Sequence, residues 1–453
     1  MPVNVSTQFT ADVENYIADK TLPIARRQLV VYQFGDPLEL PKGRGTTYTA
    51  TRFNRVPLPF APLSEGVPPV GQTMTFTQVS ATALQWGDKI TLTDVAELTI
   101  KHPLFQKAIE LIGLQAGETL ERNTFNNLMA LTQVNFVNSR TSRATLVAGD
   151  VVNTFELIRA RATLDTLGAI RFDSADPTDT KKDAGAGEPE ASNNPRNMSH
   201  YVAVMHTLVE ADFTQNNDVK LAWSYSDLYR LYNDEAGEWG GIRFCRSNLV
   251  PTFTSMAQIN FTPVASGGTF PAGTYTMIVT ASDTQNQYES QVAVASTAQA
   301  IAANGSATVV LPAKPGYTYS IYVGTGGVPT NLALSTAGPT SGPMTGQATQ
   351  LAGGQTVTIT GLGAAQVPPS APPAGGALTV YPTFIFGRGA YGQVMLDDIS
   401  TTYLTGADKS DPLNQQRVVG WKVMYGTIIL NQMFACMIES TSAFKAVFDA
   451  SVA

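Results

Sequence analysis

Between Ser255 and Leu378 the chain all but loses its charge: Asp283, Glu289 and Lys314 are its only charged residues there. At the whole-chain share of 14% charged residues, roughly 17 would be expected over that length. Gly, Thr, Ser, Ala, Pro and Val fill the stretch, and both flanks return to an ordinary density of Arg, Asp and Glu. The segment therefore reads as a second folded unit spliced into a first, and the flanks as one interrupted domain. Within it, Thr274–Thr280, Gln291–Ala295, Ala307–Leu311, Tyr317–Val323 and Gln355–Ile359 are short runs of strand formers between Gly, Pro and Asn clusters. Short strands with regular turns predict a β-sandwich of immunoglobulin type. Val367–Pro373, rich in proline, reads as a stiff exit linker.

With 453 residues, 43% of them hydrophobic, the chain has material for two or three domains and a large core. Its net charge of −7, from 29 basic and 36 acidic residues, does not fit a dedicated nucleic-acid binder, which carries a basic stripe. It is compatible with a protein that encloses nucleic acid without gripping it. Cys245 and Cys436 are the only cysteines and lie in unrelated contexts; they read as small buried hydrophobes rather than a disulfide framework. The start, Met1-Pro2-Val3-Asn4, shows neither the basic nor the apolar region of a leader. No apolar run approaches the ~18 residues of a membrane span. The expectation is a protein made and folded in a cytoplasm.

The first flank begins with residues 1–45, read as an arm with one short helical turn near Val13, Tyr16 and Ile17, capped by Thr10. Residues 46–100 read as a β-excursion. Thr46–Phe53 runs out, Pro57, Pro59, Pro62, Pro68 and Pro69 forbid helix at the tip, and Thr73–Val79 and Lys89–Thr93 return with period-2 alternation. Pro103 suits the first position of a helix. Leu104, Ala108, Leu111, Ile112, Ala116, Leu120, Phe125, Leu128, Met129 and Leu131 then keep near-3.6 spacing over seven turns. A second helix is predicted over Val151–Leu167, capped by Asp150 and ended by Gly168. Phe172–Asn197 reads as a loop, His200–Val209 as a buried strand and Leu221–Asn233 as an aromatic-rich helix. Gly237–Pro251 reads as a turn leading into a strand. After the insert, Thr379–Phe386 and Gln393–Leu396 are predicted strands. Trp421–Asn431 is a strand or buried helix, and Thr441–Val452 a short helix.

Chemical motifs are sparse. Gly387-Arg388-Gly389-Ala390-Tyr391-Gly392 matches a dinucleotide glycine pattern. A phosphate cradle needs a helix next, but Gln393–Leu396 reads as strand, so a turn is the better assignment. His102, His200 and His206 are too few and too scattered for a zinc site. Asp397-Asp398 and Glu210-Ala211-Asp212 read as solvated turn residues rather than acid–base pairs. No nucleophile elbow or Cys–His pairing stands out, so no enzyme, cofactor or metal is expected. Arg26-Arg27 and Arg52 to Arg55 are small basic clusters, below the density that phosphate binding needs.

In order along the flanks stand Leu40-Pro41-Lys42-Gly43-Arg44-Gly45, the strand with Arg52, and Pro62-Leu63-Ser64-Glu65-Gly66-Val67-Pro68. Then come Trp86-Gly87-Asp88-Lys89-Ile90-Thr91-Leu92-Thr93-Asp94, Gly240-Gly241-Ile242-Arg243-Phe244 and Gly389-Ala390-Tyr391-Gly392. Asp411-Pro412-Leu413-Asn414-Gln415-Gln416-Arg417 leads at last into Gly420-Trp421-Lys422 and Leu430-Asn431. This series, in its order and spacing, resembles a tailed-phage major capsid protein with the Hong Kong 97 fold, and most of all the capsid family named after coliphage N-four. The compact family pattern lacks the insert.

The resemblance implies an α+β capsid fold with an inserted all-β, immunoglobulin-like sandwich. Its parts would be an N-terminal arm (1–45), an extended β-loop (46–100) and a peripheral domain with a long spine helix (101–199). An axial domain (200–254 and 379–420) would carry the insert (255–378), and 421–453 would return to the peripheral domain. It implies a virion protein, made in the host cytoplasm, that self-assembles as homo-hexamers and homo-pentamers into an icosahedral shell. Scaffolding, portal and decoration proteins would be further partners, and packaged double-stranded DNA would lie on the inner face without specific contacts or a membrane. Arg52, Arg55 and Glu65 are the expected inter-subunit contacts. The alternatives are a secreted or surface glycan-binding protein and an encapsulin-like bacterial shell.

Overall fold

The computed structural model describes residues 29–53, 56, 58, 71–99, 104–172, 200–217, 219, 234–283, 289–313, 317–325, 327, 329–336, 338–340, 351–352, 354–369, 378–404 and 415–444. In chain order the first strands are β1 (Asp36–Glu39), β2 (Thr47–Phe53), β3 (Phe76–Thr82) and β4 (Leu84–Thr93). Helices α1 (Asp94–Thr99) and α2 (Leu104–Leu128), β5 (Val134–Phe136), α3 (Thr154–Thr166), β6 (Tyr201–Met205) and α4 (Thr207–Phe213) come after them. Next are β7 (Glu235–Trp239), β8 (Ile242–Arg246), β9 (Phe253–Met256), β10 (Phe261–Val264), β11 (Gly273–Asp283), β12 (Gln291–Ala293), β13 (Gln299–Ile301) and β14 (Ser306–Val310). The chain continues with β15 (Tyr317–Thr325), β16 (Asn331–Ser335), β17 (Gly338–Pro339), β18 (Leu351–Ala352) and β19 (Thr356–Ala365). It ends with β20 (Thr379–Phe386), β21 (Tyr391–Leu404), β22 (Gln416–Ile429) and β23 (Ala435–Ser440). It is a mixed α+β protein with few helices and many strands, in two compact units: 1–120 with 388–432, and 121–387 with 433–453.

The first unit is built on a four-stranded sheet in the order β1-β21-β22-β4. β1 runs parallel to β21, and the other pairs are antiparallel. Along β22, Val419, Trp421, Val423 and Tyr425 recur at every second position and are buried, whereas Lys422 between them is exposed. That period of two is a sheet with one face covered. The cover is the first part of α2, whose Ile109, Ile112, Ala116 and Leu120 share this core. The indole Nε1–H of Trp421 donates to Gln115 Oε1 at 3.3 Å, so the polar end of the largest ring is satisfied. Gly87 lies so close to β22 that a Cβ there would stand 2.5 Å from the carbonyl oxygen of Trp421.

The second unit contains a mixed sheet in the order β5-β23-β20-β6-β8-β7. β6, β20 and β23 are buried at every residue, as expected for strands covered on both faces. One face packs α3 and α4 through Leu157, Ala160, Leu164, Val209 and Phe213. On the other, Phe125 from the last turns of α2 meets Phe384 at 5.6 Å between ring centroids. Pro382 sits inside β20, where its missing N–H would break a ladder. Along that strand the partner changes: Thr379 and Val380 pair with β9, and Phe384–Phe386 with β6. The proline falls in the gap.

Arg143 and Glu439 form a buried pair, with Arg143 Nε donating to Glu439 Oε2 at 2.7 Å and the guanidinium 3.6 Å above the Phe253 ring. A paired, hydrogen-bonded charge is the form in which burial is tolerated.

The uncharged segment leaves and rejoins this unit at one place. Thr254 and Thr379 are register partners, with their hydroxyl oxygens 3.3 Å apart. Between them β10–β14–β19 and β16–β15–β11 form antiparallel ladders, joined because β19 pairs with both β14 and β16. Phe261, Phe270, Tyr275, Met277, Val279, Ile301, Val309, Tyr319, Ile321, Val323 and Ile359 belong to a core of the segment's own. The five predicted strands are all present, and β10, β13, β16 and the two-residue β17 and β18 are additional.

Several expectations need correction. The β-excursion ends at Thr82: β4 is not its returning arm but pairs along ten residues with β22. Residues 379–420 do not stay together, because β20 joins β6 and β9 whereas β21 joins β1 and β22. Residues 421–453 likewise divide between β22 and β23. Asn153, not Asp150, caps α3, accepting from Glu156 N at 3.1 Å. Asp150 instead takes bonds from Asn138, Arg140 and Val147 N. His200–Val209 is a strand only to Met205, because His206 starts a helix. Asp397-Asp398 lie in β21 at a register shift, and Glu210 and Asp212 lie on α4, so neither pair is a turn. Gly168, with φ 72°, follows Leu167, the C-cap of α3, and Gly387–Gly392 leads into strand rather than helix. Residues 441–444 are not helical. The turn at Thr10, Arg26-Arg27, His102, the helix at 221–233 and the rest of the loop and helix expected at 172–197 and 441–452 lie outside the described residues.

Candidate functional site

β2 and β3 form a two-stranded antiparallel ribbon, paired without a break from Thr47↔Thr82 to Phe53↔Phe76. Residues of β2 alternate between exposed and half-buried, the strict period of a strand with one side against something solid. At its base, Tyr48, Val79 and Ala81 pack on Leu40, Ala83, Val394 and Ile428. Arg52 carries this face outward, its Nη1 donating to Asn431 Oδ1. Of the three expected contact residues, Arg52 thus has a partner within its own chain. Arg55 and Glu65 lie outside the described residues.

The open end of the ribbon is apolar and exposed. Phe53 and Phe76 meet edge to face at 6.5 Å, yet are 65% and 58% exposed. Val56, Leu58 and Met74 beside them in sequence are exposed as well. A single hairpin is marginal in water without a third strand or a helix to cover it. These five side chains have no core of their own among the described residues. Exposed apolar clusters of this kind mark surfaces that associate.

Sequence reasoning missed Asn431 as the partner of Arg52: the two stand 379 positions apart, and no local pattern links them. The apolar ribbon end was legible in Phe53, Met74 and Phe76, but alternation alone does not say which face is covered.

Other chemistry-bearing groups have structural employment. The His206 ring lies 4.8 Å from that of Tyr381 and its Nδ1 accepts from Leu208 N. Burial lowers its pKa to about 4. Burial pushes the Cys436 thiol up to about 12 and the Cys245 thiol up as well, which keeps both unreactive. Arg243 pairs with Glu235 and Glu238, each at 3.3 Å. Among the described residues no group of three His, Cys, Asp or Glu could hold a metal ion, and no helix is long and apolar enough to cross a membrane.

No family model matches the chain, and no curated protein matches it. Among solved structures it is similar to the capsid of Ralstonia phage GP4, with 9% identity, a TM-score of 0.48 and 92% of each chain covered. It is also similar to the capsid asymmetric unit of cyanophage Pam1 (10% identity, TM-score 0.46, 89% of this chain and 86% of that one). A third likeness is to the holo-SrpI encapsulin complex from Synechococcus elongatus PCC 7942 (6% identity, TM-score 0.40, 91% and 87%).

Proposed function

We propose that this chain is the major capsid protein of a tailed double-stranded DNA bacteriophage. It acts as a structural subunit, not an enzyme, assembling as hexamers and pentamers into an icosahedral shell around the genome. The sequence resemblance along the flanks supports this reading, and one observation carries it: a two-stranded ribbon packed at its base and tied by Arg52 to Asn431, with Phe53, Val56, Leu58, Met74 and Phe76 exposed at its far end. Such an element gains its missing apolar cover from a neighbouring copy, which is how a shell subunit uses its edges. On this reading residues 1–45 are the arm and the ribbon is the extended loop. α2 is the spine helix, the β6–β8–β20 sheet belongs to the axial region, and 255–378 is an immunoglobulin-type module on the outer surface. Arg52, Arg55 and Glu65 belong to the inter-subunit surface, and DNA lies against the inner face without sequence-specific contacts.

Negative-stain microscopy of the purified full chain tests the reading. Uniform icosahedral particles are expected. A monodisperse monomer at every concentration tried, with the chain folded, would overturn it.

A further inference from the structure

The ladder between β11 and β15 has two faces. Tyr275, Met277, Val279 and Ala281, with Tyr319, Ile321 and Val323, line the core. Register puts Thr276, Ile278, Thr280 and Ser282 on the other face, opposite Gly324, Tyr322, Ser320 and Thr318. A sheet face rich in hydroxyls belongs in water, yet Thr280, Ser282, Ser320 and Tyr322 are each no more than 1% exposed. Glu289, one of the three charged residues of the insert, is held against this face. Its Oε1 accepts from the Tyr322 hydroxyl at 2.7 Å.

The rest of the cluster is unusual. Glu289 Oε2 is sealed from solvent without a hydrogen-bond partner, and so are the hydroxyl oxygens of Thr280, Ser320 and Ser282. Thr280 and Ser320 stand opposite each other across the ladder and flank the carboxylate; with Tyr322 they favour its ionised form, while burial, the larger effect, disfavours it. No Lys or Arg among the described residues is paired with Glu289. A buried carboxylate without a counter-charge is costly, and the Thr280 and Ser320 hydroxyls face it closely enough to act on it while lacking a hydrogen bond of good geometry.

We propose that Glu289, Thr280 and Ser320 form an all-oxygen site for a hard monovalent cation of the sodium class. Oxygen donors select hard cations. The charge selects the monovalent ion: one carboxylate is neutralised by one positive charge, whereas a divalent ion would leave an uncompensated charge in a low-dielectric interior. Bound there, the ion would tie β11, β15 and the segment before β12 together.

The test is hydrogen exchange of the full chain in sodium chloride against choline chloride at equal ionic strength. Amides of β11 and β15 should exchange several-fold more slowly in sodium. The difference should vanish in Glu289→Gln and shrink in Thr280→Val and Ser320→Ala, which keep the carboxylate if Glu289→Gln fails to fold. Equal exchange of the wild-type chain in the two salts would overturn the site and leave Glu289 as a buried neutral acid. So would a sodium effect that persists undiminished in Glu289→Gln. Protection by calcium at concentrations where sodium has no effect would overturn the monovalent assignment.

Discussion

His206 joins β6 to α4 with a ring nitrogen that must stay unprotonated, since its Nδ1 accepts from Leu208 N. Burial holds its pKa near 4, against an ordinary 6.5. On acidification the unfolded chain therefore takes up this proton first. The stability contribution is complete above pH 6.5, falls between about 6.5 and 4, and levels off below. The loss should approach roughly 3 kcal/mol. His206→Asn keeps a capping side chain without a titrating one. Its denaturation midpoint should fall less than that of the wild type between pH 7 and 4.5, and parallel curves would contradict this. At the same scale, Glu439→Gln should cost about 3–5 kcal/mol, because it leaves Arg143 charged and buried. A urea titration of the two proteins measures it.

At the scale of elements, the β2–β3 ribbon depends on its base and on the bond between Arg52 and Asn431. Arg52→Ala and Asn431→Ala should each loosen the ribbon, and the double variant should be little worse than either. The expected coupling is roughly 1–2 kcal/mol, that of a hydrogen bond to a charged group. Strict additivity would show that the two side chains do not act together. Gly387 closes β20: a Cβ there would lie 2.2 Å from the carbonyl oxygen of Ile170. Backbone cannot retreat as a flexible side chain can, so Gly387→Ala should destabilise the second unit by about 1–3 kcal/mol or more. An unchanged melting temperature would count against that close approach.

At the scale of the molecule, the register pair Thr254↔Thr379 brings the two ends of the insert together. A module with its own core, entered and left at one point, can be removed without opening the core of its host. Replacing 255–378 with a short Gly/Ser turn should leave the remaining chain folded, with native-like proteolytic resistance. The excised segment should unfold cooperatively on its own. Aggregation of the shortened chain together with a molten excised segment would show that the two depend on each other. For the proposed shell, the shortened chain should still form particles.

Composition and periodicity carried a good part of this protein. The charge-poor stretch, flanked by Arg246 and Arg388, points to an insert, but only the pairing Thr254↔Thr379 shows where it leaves and rejoins the sheet. The spacing from Leu104 to Leu128 yields α2, because a helix must bury one stripe. Every-other-residue patterns yield most strands, because a sheet must bury one face. The tertiary structure alone decided partnership. β4 and β22 lie more than 300 positions apart, and each reads as an ordinary alternating strand. Their union depends on which hydrogen-bonding edge is free once α2 has covered the face, and local sequence does not encode that. The same holds for Arg52 and Asn431, and for Glu289 against Thr280 and Ser320: each residue is ordinary in its own segment, and its chemistry arises from what the folded chain sets beside it.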